Sequence, residues 1–98
     1  MPPPALLSDA EIAQRLRSLL GWERRGQALV RTFRFPDFRA ALAFVNRVAE
    51  PAEEQRHHPD VEIRWNTVTL TLSTHASGGI TERDFRLAEA IEGLEGAA

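Results

Sequence analysis

The stretch Val61-Glu62-Ile63-Arg64-Trp65-Asn66-Thr67-Val68-Thr69-Leu70-Thr71-Leu72 decides the fold of this 98-residue chain. Apolar residues occupy every second position on both sides of Asn66-Thr67, the pattern of two β-strands that each bury one face. Two such runs joined by a tight turn form a β-hairpin. The stretch therefore predicts a hairpin that turns at Asn66-Thr67, with Trp65 in its first strand. The polar positions of the second strand, continued to Ser73 and His75, would form its opposite face.

A second hairpin is predicted nearer the N-terminus. Trp22–Arg25 and Ala28–Phe35 have the character of strands, joined by a turn at Arg25-Gly26-Gln27. The apolar residues on one face of the longer strand are Leu29, Phe33 and Phe35. Arg31 falls on the same face and interrupts it. Trp22 is expected to pack in the interior.

Three amphipathic segments flank and separate the hairpins. The first follows the capping box Ser8-Asp9-Ala10-Glu11. Apolar residues at helical spacing continue it towards Gly21: Ile12, Leu16, Leu19 and Leu20. The second begins after Asp37, a suitable N-cap, and should end by about His57 because Pro59 disfavours helical geometry in the residue before it. The third follows a second capping box, Thr81-Glu82-Arg83-Asp84.

The predicted order of elements is helix, strand, strand, helix, strand, strand, helix. Hairpins separated by helices favour an α+β fold, in which a four-stranded antiparallel sheet carries three helices packed on one face. The length suits a single domain over residues 1–98, with frayed ends expected over 1–7 and 95–98. A core of this size supports a stability of roughly 5–10 kcal/mol, so burial of further surface in an oligomer would stabilise the fold.

The composition excludes several kinds of chemistry. The chain has no Cys, Tyr or Lys, and its 12 basic residues are all Arg. Thiolate catalysis, disulfides, iron–sulfur clusters and a Lys Schiff base are therefore ruled out. A formal net charge of −2 does not indicate the basic surface that binds nucleic acid. No apolar run approaches the roughly 20 residues of a membrane span, and Met1-Pro2-Pro3-Pro4 lacks signal-peptide character, so a cytoplasmic protein is expected.

All three histidines, His57, His58 and His75, lie within one short part of the chain. Imidazole has an ordinary pKa of about 6.5, which suits proton transfer at neutral pH. From the residues alone, a solvated or capping His pair at a helix exit is equally compatible with the pattern. A shared zinc site is disfavoured, because adjacent side chains diverge and a fourth ligand would have to come from a distant carboxylate. Asp84 fits the N3 position of a capping box, and Trp65 fits either a strand interior or a stacking surface.

The spacing of the polar residues carries a family resemblance. Glu53, His57-His58-Pro59, Trp65, His75 and Asp84 are spaced as in the signature of the pterin-4a-carbinolamine dehydratases, which this chain resembles. Further similar segments cover nearly the whole chain: Gly21-Trp22, Phe33-Arg34-Phe35, Asp37-Phe38, Leu72-Ser73-Thr74-His75 and Gly79-Ile80-Thr81-Glu82-Arg83-Asp84. Val61 is a departure, since many relatives carry an aromatic residue there.

The resemblance implies a lyase. Members of the family eliminate water from a tetrahydropterin that carries a hydroxyl on C4a, the product of an aromatic amino acid hydroxylase that uses tetrahydrobiopterin. The product is the quinonoid dihydropterin. The reaction involves no redox change, so the resemblance implies neither a cofactor nor a metal. It also implies a homodimer with one continuous sheet, or a homotetramer, and leaves the choice between them open.

By position, the resemblance implies that His57 and His75 are the acid and base, in an order it leaves open, and that His58 also serves catalysis by holding the substrate. Further substrate-binding positions would be Arg56, Pro59, Ser73 and Thr74. Glu53 and Asp84 would orient histidines or cap helices. An alternative function is a non-catalytic dimerisation or transcriptional cofactor module, since family members in animals also bind a transcription factor. Retention of all three histidines favours the enzyme.

Overall fold

A four-stranded antiparallel sheet with helices on one face forms in the computed structural model, which describes residues 2–94. The elements in chain order are α1 (Asp9–Leu16), β1 (Glu23–Arg25), β2 (Ala28–Arg34), α2 (Phe38–Gln55), β3 (Asp60–Arg64), β4 (Thr67–Leu72), a 3₁₀ turn (His75–Ser77) and α3 (Glu82–Glu92). The strands lie side by side in the order β1-β2-β4-β3. The predicted α+β class and element order are confirmed.

The core lies between the sheet and the two long helices. Strand positions that alternate inward are fully buried: Leu29, Phe33, Val68, Leu70 and Leu72. They meet the buried face of α2, where the Phe44 ring lies 4.7 Å from that of Phe33 and 5.0 Å from that of Phe35, and the buried face of α3. The outward face of the two central strands carries mostly Thr side chains, with Thr32 hydrogen bonded to Thr69 at 3.1 Å, beside the buried Val30. Alternating burial therefore fixes the register of the sheet.

Arg31 interrupts the apolar face of β2 as expected, and the structure shows how its charge is accommodated. Its guanidinium forms an ion pair with Glu92 at the end of α3 and lies 4.3 Å above the centre of the Phe33 ring. Glu92 also accepts a hydrogen bond of 2.9 Å from Nε1 of Trp22, which is buried as predicted. The charged pair therefore connects the first hairpin to the third helix.

The first helix is shorter than its apolar spacing predicts. It ends at Leu16, and the N–H groups of Arg17, Ser18 and Leu19 then bond to carbonyls three residues back. This tighter turn rotates the chain, so that Leu19 enters the core whereas Leu20 is 82% exposed. The expectation that Leu20 continues the buried stripe is wrong.

The turn of the second hairpin lies one residue earlier than predicted. Thr67 pairs with both Arg64 and Arg34, so it belongs to β4, and the two turn residues are Trp65 and Asn66. Backbone pairing is the cause, because the N–H of Phe35 donates to the carbonyl of Asn66 at 2.8 Å. Trp65 consequently leaves the strand and takes a left-handed conformation, with φ of 53° and 70% exposure.

The expected fraying concerns both ends of the chain. Residues 95–98 lie outside the described residues, as does Met1. Within the predicted 1–7 segment, Leu6 pairs with Thr81, and the N–H of Leu7 donates to the carbonyl of Ile80 at 3.0 Å. This part of the segment is therefore tied to the loop before α3. Among residues 2–94, no helix has the length and apolar character to cross a bilayer.

Candidate active site

The exit of α2 separates the two adjacent histidines. The N–H of Arg56 donates to the carbonyl of Glu53 at 3.2 Å, and that of His57 to Ala52 at 3.0 Å, the hydrogen-bond pattern of a Schellman motif. Arg56 takes the left-handed conformation that this motif needs, with φ of 52°. His57 is turned back into the protein and is 8% exposed, whereas His58 points outward. The helix thus ends by His57, as predicted from Pro59.

Arg83, which lies in the neighbouring helix α3, hydrogen bonds to the C-terminal end of α2. Its Nη2 donates to the carbonyl of Arg56 at 2.7 Å and to that of Gln55 at 3.2 Å. Carbonyls at a helix end lack intrahelical partners, so a guanidinium beside them satisfies two acceptors at once. Arg83 therefore connects the first turn of α3 to the segment that presents His57 and His58.

A buried carboxylate orients His57. Asp84 is fully buried, and its Oδ1 lies 2.6 Å from Nε2 of His57. Its Oδ2 accepts from the hydroxyl of Thr74 at 2.9 Å and from the N–H of Thr81 at 2.9 Å. The bond to Thr81 completes the predicted capping box of α3. Asp84 is therefore both a helix cap and a partner of the imidazole.

The directions of these hydrogen bonds fix the tautomer of His57. The N–H of Arg83 donates to the Thr81 hydroxyl, and the hydroxyl of Thr81 lies 2.7 Å from that of Thr74. The hydroxyl of Thr74 donates its only proton to Asp84, so the hydroxyl of Thr81 must donate to that of Thr74. An ionised carboxylate only accepts, so Nε2 of His57 carries the proton facing Asp84. Nδ1 is then the ring nitrogen left without a partner among residues 2–94. Every fully buried side-chain nitrogen or oxygen in those residues has a partner, so Nδ1 retains some solvent access.

The other two histidines are exposed. His58 has its Nε2 2.5 Å from Oε2 of Glu53, and both side chains are mostly in solvent, so the pair orients the ring with little gain in stability. His75 was expected at a strand end, but β4 stops at Leu72 and His75 opens the 3₁₀ turn. That turn is closed by the N–H of Thr74, which donates to the carbonyl of Gly79 at 2.9 Å.

One open cavity of about 250 Å³ gathers most of the predicted site. Six predicted residues line it: Arg56, His57, His58, Ser73, Thr74 and His75. Pro59, predicted as a substrate contact, is not among the lining residues, and Glu53 and Asp84 act from behind the histidines. Trp65 lies at the far end of β3, a strand of five residues that spans ~16 Å. It belongs to a separate cleft.

Two larger clefts lie elsewhere on the surface. One of about 360 Å³ surrounds Arg15, whose guanidinium is already paired with Glu82 at 2.7 Å. The other, of about 570 Å³, lies between Trp65 and the exposed side chains of Phe38 and Leu42. Neither is lined by a histidine, so the imidazole groups are gathered in the smaller cavity. No cluster of three or more metal-ligating side chains occurs in residues 2–94.

Sequence reasoning missed Arg83, which lines the cavity together with Ala76. It was noted only as part of the Thr81–Asp84 capping box. Its position next to Asp84, in the first turn of a helix that supplies a site carboxylate, was the available signal. The contact with the carbonyls of α2 depends on how the two helices pack, which the local pattern does not encode.

Comparison with known proteins identifies the family. Residues 5–94 match the profile of the family described as pterin 4 alpha carbinolamine dehydratase. The chain belongs to this family. A protein of Thermomicrobium roseum, provisionally named as such a dehydratase, is 61% identical over 90 residues, which are 92% of this chain and 97% of the relative. A protein of Mycobacterium tuberculosis with the same provisional name is 50% identical over 93 residues, which cover 95% of this chain and 99% of the relative.

Two solved structures resemble this fold. A transcriptional coactivator/pterin dehydratase from Brucella melitensis has a TM-score of 0.84 at 36% identity, covering 89% of this chain and 95% of that one. A pterin dehydratase-like protein identified as a RuBisCO assembly factor of the alpha-carboxysome has a TM-score of 0.65 at 25% identity, covering 80% and 93%. The fold is therefore found in proteins described by catalytic and by assembly roles.

Proposed function

We propose that this protein is a 4a-hydroxytetrahydrobiopterin dehydratase, which eliminates water from a 4a-hydroxytetrahydropterin to give the quinonoid dihydropterin. The observation that carries the proposal is the buried pair of His57 and Asp84, which leaves Nδ1 of the imidazole as the accessible ring atom in a cavity shared with His75. Family membership supplies the substrate class. The arrangement itself favours proton transfer, because it holds the imidazole in a fixed orientation with Nε2 towards Asp84 and Nδ1 towards the cavity.

His57 is the base in this proposal. Nδ1 accepts the proton of N5, the electron pair of the N–H bond forms the C4a=N5 double bond, and the C4a–O bond breaks. The imidazolium that results is stabilised by the ionised carboxylate of Asp84 at 2.6 Å. A histidine supported in this way contributes about 10²–10⁴-fold to the rate of such a step.

His75 is the acid. The departing hydroxyl takes a proton from its imidazole and leaves as water, so that one proton is lost at N5 and one is gained at oxygen. The exposure of His75 allows it to recover a proton from solvent between turnovers. His58, fixed by Glu53, holds the substrate. The hydroxyls of Ser73 and Thr74 are bonded to Gln27 and Asp84, so these residues form the wall of the cavity.

The test is dehydration of freshly generated 4a-hydroxytetrahydropterin, followed by stopped-flow absorbance. We expect His57→Ala and His75→Ala each to lower kcat by roughly tenfold or more with the fold intact, and His58→Ala to act mainly on KM. Near-normal turnover in both His57→Ala and His75→Ala would refute the proposal. Circular dichroism of each variant separates a lost catalytic group from a lost fold.

A second candidate function is a dimerisation or transcriptional cofactor module. The observation that favours it is the exposed apolar cleft formed by Phe38, Leu42 and Trp65, which lies away from the histidines. The solved relatives named as a coactivator and as an assembly factor support it too. No acceleration of dehydration over the spontaneous rate, in correctly folded protein, would favour this candidate over the enzyme.

The proposal includes a homodimer or homotetramer that acts in tetrahydrobiopterin recycling beside an aromatic amino acid hydroxylase, in the cytoplasm. The sheet supports the oligomer, because β1 and β3 are its edges and each has one neighbour. The residues of β3 are mostly exposed, so its backbone can pair with a second copy across a two-fold axis. Sedimentation at micromolar concentration that gives only an 11.0 kDa species would contradict this.

A further inference from the structure

We propose that Thr74 is a positioning residue of the dehydration, whose hydroxyl fixes the carboxylate of Asp84 and through it the ring of His57. The backbone of Thr74 belongs to the turn that carries His75, so this one residue sets the base relative to the acid. The inference rests on the proposed function, since it concerns the two histidines assigned there. It replaces the role that the family resemblance implies for Thr74, which is contact with the substrate.

The hydroxyl of Thr74 is engaged inside the protein. Thr74 is 3% exposed, and its hydroxyl donates to Oδ2 of Asp84 at 2.9 Å. The same oxygen accepts from the hydroxyl of Thr81 at 2.7 Å. Because a hydroxyl has one proton to donate, none is left for a substrate. Thr74 therefore forms part of the cavity wall without offering a donor to the cavity.

The hydroxyl of Thr74 is also not used for the turn that Thr74 begins. Thr74 lies at the N-cap of the 3₁₀ turn, a position where a Thr hydroxyl ordinarily accepts from the following backbone N–H groups. Within residues 2–94 its side chain forms no such capping bond. The backbone closes the turn instead, since the carbonyl of Thr74 accepts from the N–H groups of Ser77 and Gly78, each at 3.0 Å. The side chain is thus directed away from its own turn and towards Asp84.

Thr74 consequently connects the two segments that present the proposed acid and base. Its backbone holds the turn of His75, and its hydroxyl holds Asp84, whose other oxygen lies 2.6 Å from Nε2 of His57. Thr74, Asp84 and His57 are all buried, and hydrogen bonds in such surroundings are stronger than the same bonds in water. The orientation of His57 is therefore fixed relative to the backbone that carries His75.

The bond from Thr81 to Asp84 does not replace this connection. If the Thr74 hydroxyl is removed, Oδ2 of Asp84 keeps the N–H of Thr81 at 2.9 Å, but that donor belongs to the cap of α3. The carboxylate is then held by its own helix and is no longer joined to Thr74. The proposed elimination needs both histidines in place at once, and a misplacement of 1 Å costs about 10²-fold in rate. Looser positioning of His57 should therefore cost roughly tenfold.

The experiment replaces Thr74 by Val, which keeps the shape of the side chain and removes the hydroxyl, and by Ser, which keeps the hydroxyl. Stopped-flow dehydration of 4a-hydroxytetrahydropterin gives kcat and KM. We expect Thr74→Val to lower kcat roughly tenfold with KM within about twofold of the parent, and Thr74→Ser to keep kcat within about threefold. A higher KM at unchanged kcat in Thr74→Val would identify a substrate contact and overturn the inference.

A double-mutant cycle tests whether Thr74 acts through Asp84. In the Asp84→Asn background, Thr74→Val should have no further effect on kcat, because the carboxylate through which it acts is gone. A further fall of about tenfold would show independent action and overturn the inference. Thr69→Val is the matched control: the Thr69 hydroxyl lies 3.1 Å from that of Thr32, and Thr69 does not line the cavity. It should leave kcat unchanged, and a loss equal to that of Thr74→Val would also overturn the inference.

A measurement without substrate separates this inference from the proposed function. The Nε2 proton of His57 faces a buried carboxylate, so its exchange with water, followed by NMR, requires local opening. We expect roughly tenfold faster exchange in Thr74→Val than in the parent or Thr74→Ser. Equal exchange in all three, with normal dehydration by the parent, would overturn the inference alone.

A parent protein that does not accelerate dehydration would reject the proposed function, whatever the exchange rates. If Thr74→Val does not fold, Thr74→Ser decides the inference. A loss of kcat of about tenfold in Thr74→Ser would overturn it, because the hydroxyl is still present. Parent-like kcat and exchange in Thr74→Ser would support it.

Discussion

Replacement of Asp84 by Asn tests the central feature of the site, because it changes the charge of a fully buried group and almost none of its volume. The carboxylate accepts three hydrogen bonds, from Nε2 of His57, the hydroxyl of Thr74 and the N–H of Thr81. An amide has one accepting oxygen. That oxygen can keep the two donors that now share Oδ2, which turns the NH₂ group towards His57.

The consequence for His57 follows from that geometry. Facing an NH₂ donor, Nε2 must become an acceptor, so the imidazole proton moves to Nδ1, the accessible ring atom. The imidazole ring then stays in place, but its Nδ1 can no longer accept a proton. The same change beside the histidine of a serine protease triad lowers kcat by about 10⁴-fold. Here we expect a fall in kcat of about 10²–10⁴-fold in Asp84→Asn.

The expected loss of stability is moderate. Hydrogen bonds to a charged group contribute about 1.5–3 kcal/mol each and neutral ones about 0.5–1.5, so each of the three bonds weakens by about 1–1.5 kcal/mol and the change costs about 3–4.5 kcal/mol. A domain with about 5–10 kcal/mol of stability stays folded under this change. Asp84→Ala is a poorer test, since it leaves buried donors without an acceptor and opens the cap of α3.

Stopped-flow turnover gives kcat, urea unfolding gives the stability, and ¹⁵N chemical shifts of the imidazole report its tautomer. Asp37→Asn is the matched control: Asp37 also caps a helix, accepting from the N–H of Ala40 at 2.8 Å, but lies outside the histidine cavity. We expect it to leave kcat unchanged. If Asp84→Asn turned over within about threefold of the parent while its imidazole had changed tautomer, the assignment of His57 as base would be refuted.

Arg56→Gly should stabilise the protein by up to about 1–2 kcal/mol in urea unfolding, because glycine adopts the left-handed backbone without strain. The greater freedom of glycine in the unfolded chain reduces this gain. A loss of stability would show that the Arg56 side chain stabilises the fold. Arg83→Ala should lower stability by about 1–3 kcal/mol and raise KM, because two carbonyls of α2 lose their donor; unchanged KM would separate this contact from the site. The hydrogen bond from Arg15 lowers the pKa of Glu82, so its contribution is present above the unfolded pKa of about 4.5 and is lost as pH falls through the lower folded value. Both side chains are partly exposed, so Glu82→Gln should remove less than about 1 kcal/mol at pH 7 and nothing at low pH, as unfolding midpoints at the two pH values would show.

The elements of the fold could be predicted because each is specified by local chemistry. Alternation placed the strands, and two capping boxes placed the starts of α1 and α3. The errors occurred where pairing with distant segments decides the outcome. The turn at Trp65 is set by the bond between Asn66 and Phe35, and the early end of α1 is set by the packing of Leu19. Local patterns do not contain those contacts.

The candidate site was predictable as a set of residues and not as a geometry. Pro59 indicated that the helix ends by about His57, and α2 ends at Gln55. The resemblance implied that Asp84 orients a histidine or caps a helix, but the spacing did not say which histidine. Asp84 in α3 meets His57, just past the end of α2, only in the folded chain. Nor did it reveal that Trp65 would lie at the opposite end of the sheet. Residues that belong to one sequence signature therefore need not lie in one site, as Trp65 shows.

The placement of Asp84 explains how so small a domain can keep a buried carboxylate. An isolated ionised group at 0% exposure would be strongly destabilising, and a core of this size has little stability to offset it. Here the charge satisfies the N–H of Thr81, as an ordinary cap would, and the hydroxyl of Thr74, as an ordinary buried acceptor would. Only the third bond, to His57, belongs to the proposed chemistry. The orientation of His57 is therefore added to a carboxylate that the fold already needs, and this links the start of α3 to the histidine at the end of α2.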